Sequence, residues 1–165
     1  MPRVLVVALA LALTAGACAS DDPAAEDSFV TDINDAIAAV EADRGAGQEY
    51  FEVTATSQFT NVFVATNDGT AAVPYVYRNG VLEPPAPVLE GASGFTFTAD
   101  SVDFDEDAIV SQVAEELPDA SIDTLSVEGG DGGTVRYVVS ARSSSGGVLD
   151  VTVGPDGVVL AVDPI

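Results

Sequence analysis

Residues 146–162, Gly146-Gly147-Val148-Leu149-Asp150-Val151-Thr152-Val153-Gly154-Pro155-Asp156-Gly157-Val158-Val159-Leu160-Ala161-Val162, carry the pattern that decides the fold. Runs rich in Val and Leu on both sides of a Gly-Pro-Asp-Gly break read as two strands, 147–153 and 158–163, joined by a tight turn. Upstream, 121–127 and 134–142 read as further strands, with Gly129-Gly130-Asp131-Gly132-Gly133 and Ser143-Ser144-Ser145-Gly146 as their loops. Asp105-Glu106-Asp107 precedes a stretch with Ile109, Val110, Val113, Ala114 and Leu117 at helical spacing, and Pro118 closes it. The first half has the same order. Phe29, Val30, Ile33, Ala36, Ile37 and Val40 predict an amphipathic helix stopped at Gly45. Strands follow over 49–56, 59–66 and 72–78, and Asn79-Gly80 is a strong hairpin signal returning through Val81-Leu82. A shift of 77 residues lays Asn79-Gly80 on Asp156-Gly157, Gly69 on Gly146, Ile33 on Val110 and Val40 on Leu117. The expectation is therefore an α+β fold: two repeats of one helix packed on a short antiparallel β-meander, behind an N-terminal signal helix. Its organisation reads as a signal peptide (1–17), an acidic tether (18–27), a first repeat (28–83), a Pro-rich connector (84–94) and a second repeat (95–165).

The N-terminal stretch predicts an address. Arg3 is followed by the apolar run Val4–Leu13 and then by the small residues Ala15-Gly16-Ala17 before Cys18. A run of this length forms about 15 Å of helix and cannot cross a ~30 Å hydrocarbon core, so it reads as a removable export signal. Ala15-Gly16-Ala17-Cys18 resembles the lipobox of bacterial lipoproteins, which implies cleavage before Cys18, lipidation of its thiol and anchoring on the extracytoplasmic face of the cell membrane. Ala15-Gly16-Ala17 also satisfies ordinary signal peptidase, which leaves a secreted form open. Cys18 is the single cysteine, so no intramolecular disulfide can form.

Composition narrows the chemistry. The chain has 27 Asp and Glu against 5 Lys and Arg, a net charge of −22, and every basic residue is Arg. Such a surface repels nucleic acid and anionic headgroups and favours cationic peptides, basic proteins or divalent cations. Without His or Lys, and with Cys18 assigned to the N-terminus, a Ser-His-Asp or Cys-His triad, a His-based metal site and a Schiff-base lysine are excluded. Asp103, Asp105 and Asp107 alternate as in a calcium loop, but Ala108 and Ala114 occupy the positions of its Gly and bidentate Glu, and helix capping is the better reading. No cofactor, metal site or enzymatic activity is expected.

The stretch 107–163, a helix, Pro118 and meander strands ending at Asp156-Gly157, is similar to a PepSY-type module. The resemblance implies an extracytoplasmic interaction or inhibitory role. Tyr75 and Tyr77 share a strand face beside Pro84, Pro85 and Pro87, and are expected to form an exposed strip for an envelope or extracellular protein. The function that follows is non-catalytic binding or inhibition at the cell envelope, membrane-bound through the N-terminal lipid. The alternative is a small-molecule or lipid carrier with an apolar cavity between helix and sheet.

Overall fold

The computed structural model describes residues 32–165. The signal region, Cys18, the tether, and Phe29 and Val30 of the first predicted helix lie outside the described residues. Helix α1 (Asp32–Arg44) buries Ile33, Ala36, Ile37 and Val40, the three-and-four spacing of an apolar stripe. It leads into β1 (Glu49–Thr56), β2 (Thr60–Thr66), β3 (Ala71–Arg78) and β4 (Val81–Leu82), followed by β5 (Leu89–Glu90) and β6 (Phe97–Thr98). Helix α2 (Glu106–Glu116) follows, then β7 (Ala120–Gly129), β8 (Val135–Ser143), β9 (Val148–Val153) and β10 (Val159–Pro164). Local chemistry sets several boundaries. The Asp105 carboxylate accepts a hydrogen bond from the Ala108 amide at 2.9 Å, capping α2 and leaving the aspartate run a structural task. Asn79 and Gly80 both take positive φ, 52° and 77°, which the tight turn between β3 and β4 requires.

The expectation of two helix-on-meander repeats is overturned. The ten strands among the described residues belong to one antiparallel sheet, ordered β10-β9-β8-β7-β1-β2-β3-β4, with β5 beside β3 and β6 beside β1. The two runs of strands merge because β1 and β7 pair directly, from Glu52↔Glu128 to Thr56↔Thr124. Each run alone would end in a row of unpaired N–H and C=O groups, and pairing β1 with β7 satisfies both rows at once. The stretch 84–94 is not a free connector either. Ala86 donates its amide to Pro74 O at 2.9 Å, Gly91 donates to Thr70 O at 2.9 Å, and Leu89–Glu90 pair with Ala71–Ala72. It closes the outer edge of β3 with a segment whose prolines have no amide to offer a further strand. At the other edge, the ladder between β9 and β10 slips between Val159 and Ala161, and Pro164 stands near the end of β10, so both edges resist further pairing.

Cross-strand partners share a face, and the register places one face under both helices. Val53, Val62 and Tyr75, with Val127, Tyr137 and Val153, join Ile33, Ile37 and Val40 of α1 and Ile109 and Val113 of α2 in a single buried cluster. The opposite face carries Glu52, Thr54, Ser126, Glu128, Arg136 and Thr152. There Thr54 Oγ1 lies 2.8 Å from Ser126 Oγ, and Arg136 is paired with Glu128. Before α2, the Tyr137 hydroxyl donates to Asp103 O at 2.9 Å and accepts from the Asp103 amide at 3.1 Å, tying that segment to the sheet.

Candidate functional site

Tyr75 and Tyr77 were expected at the surface; they are 2 % and 7 % exposed. In β3 the alternation sends Val73, Tyr75 and Tyr77 toward α1 and leaves Pro74 and Val76 on the open face. The expected aromatic strip is therefore part of the core. Pro84, Pro85 and Pro87 are exposed along the sheet edge.

Tyr75, Pro84 and Pro85 nevertheless meet. They line a surface groove of about 590 Å³ between the C-terminal half of α1 and the β4–Pro85 segment. Ala39 and Ala42 form its helix wall and Leu82 the facing wall, while Asp43 and Glu83 stand among the lining residues from opposite sides. The small side chains of α1 open this space, because a longer residue at 39 or 42 would fill it. At its base the Tyr75 hydroxyl accepts a hydrogen bond from Arg44 Nη1 and donates to Asp43 Oδ2, both at 3.3 Å. These bonds are long and yield readily to a competitor. Arg44 also donates from Nε to Gln48 Oε1 at 3.0 Å, holding the guanidinium beside the groove. Tyr77 and Pro87 are not among the lining residues. Sequence reasoning missed Ala39, Ala42, Asp43 and Glu83. The available signal was the small pair on the flank of the apolar helix stripe, but nothing local places residues 82–85 opposite it.

The space between α1 and the sheet, where a carrier would need a cavity, is occupied by Ile33, Ala36, Ile37, Val40 and the strand side chains facing them, all in the buried cluster. Burial raises the pKa of the Tyr50 phenol well above its ordinary value, with the Glu41 carboxylate adding to the shift. Tyr50 Oη and Thr60 Oγ1 are buried without a hydrogen-bond partner among the described residues. No group of three or more acidic or thiol side chains able to hold a metal occurs among the described residues. None of their helices is long and apolar enough to cross a membrane. Comparison with family models, with curated proteins and with solved structures gives no match.

Proposed function

We propose that the chain is an exported, lipid-anchored, non-catalytic binding module that receives a basic side chain of an envelope or extracellular protein in the groove between α1 and Pro84–Pro85. The observation that carries this reading is the pairing of an apolar interior with carboxylates from both sides: Ala39, Leu82 and Tyr75 within, Asp43 and Glu83 flanking them. Among the described residues each carboxylate is held only by a long contact, Asp43 by Tyr75 Oη at 3.3 Å and Glu83 by Arg78 Nε at 3.8 Å, that an incoming cation displaces. A Lys or Arg side chain has the matching build, an aliphatic stem that covers apolar surface and a cationic head that seeks carboxylate. The net charge of −22 draws such a partner in and repels acidic ones. Pro84 and Pro85 stiffen one wall, which lowers the entropy lost on docking. The lipobox-like Ala15-Gly16-Ala17-Cys18 supports the address, and the resemblance of 107–163 to PepSY-type modules supports an interaction role.

A labelled synthetic peptide of alternating Lys and Leu tests the site. Binding is expected to weaken at least about tenfold, or ~1.4 kcal/mol, in the double variant Asp43→Asn/Glu83→Gln. It should be nearly unchanged in Asp119→Asn/Glu128→Gln, which removes as much charge elsewhere. Equal losses in both variants would show that only the overall field acts and that the groove has no part. The address is tested separately by Cys18→Ser, which should abolish incorporation of labelled palmitate.

A further inference from the structure

We propose that a second cleft, at the end of the sheet where β6 meets β1, is a binding site for a neutral sugar. The cleft measures about 430 Å³ and shares no lining residue with the α1 groove. Small-molecule sites span roughly 300–1,000 Å³, so a ring or two of saccharide fits its size. Antiparallel pairing of Glu49 with Thr98 and of Tyr50 with Phe97 sets Thr96, Thr98 and Glu49 on one side. Ser101 adds a third hydroxyl, and the loop at Gly132 and Gly133 forms the facing side.

Three observations identify the ligand chemistry. The polar side chains of the cleft barely use one another. Thr96 Oγ1 donates to Glu49 Oε2 at 3.4 Å, and Thr98 Oγ1 lies 3.5 Å from Ser101 Oγ, whereas a well-formed O–H···O bond is about 2.7–2.8 Å. Elsewhere in this fold hydroxyl pairs close fully: Thr54 with Ser126 at 2.8 Å and Ser143 with Ser145 at 2.8 Å. The hydroxyls of the cleft thus keep donor and acceptor capacity for a ligand. The second observation concerns the facing loop. Nothing lies within 4 Å of where a side chain would begin at Gly132 or Gly133, so its peptide groups are open to close approach. The third is charge. The Glu49 carboxylate and the net charge of −22 oppose an anion, and a divalent cation needs more carboxylate oxygens than this cleft gathers. A neutral polyhydroxylated ring satisfies all three, because its hydroxyls donate to Glu49 and exchange bonds in both directions with Thr96, Thr98 and Ser101. Phe97 turns its ring away from the cleft to pack on Tyr50 in the core, so the surface offered to the ligand is polar.

Titration of the ¹⁵N-labelled full chain with glucose, N-acetylglucosamine and maltose, each to about 50 mM and so well past the millimolar range of weak sites, tests the proposal. At least one sugar should produce saturable shifts at the amides of Thr96, Thr98, Gly132 and Gly133, with no response at Ala39, Ala42 or Leu82. Ser101→Ala and Glu49→Gln, both at partly or fully exposed positions, should each weaken that response several-fold while the melting temperature holds. Inorganic phosphate, titrated in parallel, should leave the four amides unmoved. Absence of saturation with all three sugars overturns the proposal, as does a phosphate response at these amides or a sugar response that both variants retain.

Discussion

Gly157→Ala isolates one contact that holds α2 to the sheet. Gly157 is buried in the turn between β9 and β10 with φ +82°, and a methyl group there would sit 2.5 Å from Ala108 O, 2.7 Å from Ala108 C and 2.9 Å from Ile109 N. These are backbone atoms of the first turn of α2, so no side-chain rotation relieves the clash. The same turn accepts the Asp105 amide on Pro155 O at 2.8 Å, which fixes the helix start against it. A left-handed backbone costs a non-glycine residue about 1–2 kcal/mol, and forcing a methyl into a packed contact adds about 1–3 kcal/mol. The expected loss is about 2–5 kcal/mol from a total of about 5–15 kcal/mol. For a domain of this size that lowers the melting midpoint by about 7–17 °C. Gly146→Ala is the matched control, since Gly146 has φ +92° with nothing within 4 Å of its added methyl. It should lose only the backbone part, about 1–2 kcal/mol. Thermal denaturation followed by circular dichroism measures both, and hydrogen exchange at Ile109 and Val113 should accelerate in Gly157→Ala alone. If Gly157→Ala melts no lower than Gly146→Ala, the turn does not press on α2 and the reasoning fails.

Other consequences follow from burial and charge. The three ion pairs among the described residues, Arg78–Glu83, Arg136–Glu128 and Arg142–Asp123, all have exposed arginines, so the acidic excess is balanced mainly by solution ions. The melting temperature should therefore rise as salt shortens the Debye length from about 30 Å at 0.01 M to about 8 Å at 0.15 M, and a flat response would mean the acids are compensated locally. Burial raises the pKa of Tyr50 and Tyr137 above the ordinary phenol value of 10.0. The folded state then holds protons that the unfolded chain releases, so this stabilisation is complete below pH 10 and falls as pH rises beyond it. Ionisation of Tyr50 and Tyr137, followed residue by residue through their ring ¹³C shifts, should coincide with alkaline unfolding, and ionisation of either near the ordinary phenol pKa in a chain that stays folded would contradict it. Thr60→Val replaces a fully buried hydroxyl that has no partner among the described residues, and should stabilise the fold by about 1–3 kcal/mol in urea denaturation. A loss of stability would instead reveal a bound water at Thr60. Tyr77→Ser empties a core position rather than a surface one, and should cost about 3–5 kcal/mol, with a cost below ~1 kcal/mol counting against its burial.

The amino-acid sequence by itself determined what depends on neighbours a few residues apart. The apolar stripe of α1, the Asp105 cap of α2, the turn at Asn79-Gly80 and the alternation of β3 and β9 are all legible, because side-chain direction follows local period and caps act within one turn. Charge and the missing His and Lys likewise bound the chemistry without any coordinates. What only the tertiary structure decided is which edge meets which and which face is covered. Alternation shows that Tyr75 and Tyr77 point the same way, but their burial depends on α1 lying over that face rather than the other. The same registers that define each meander leave its edges open, and only the pairing of Glu52–Thr56 with Thr124–Glu128 makes one sheet of the two runs. The Pro-rich stretch reads as a connector because proline cannot occupy a central strand, yet an outer edge, where no amide is needed, accommodates it. Both proposed sites sit where such distant segments meet, α1 against Leu82–Pro85 and β6 against Gly132–Gly133. No local period encodes these meetings, because they are settled by how the whole chain buries its apolar faces and satisfies its backbone hydrogen bonds.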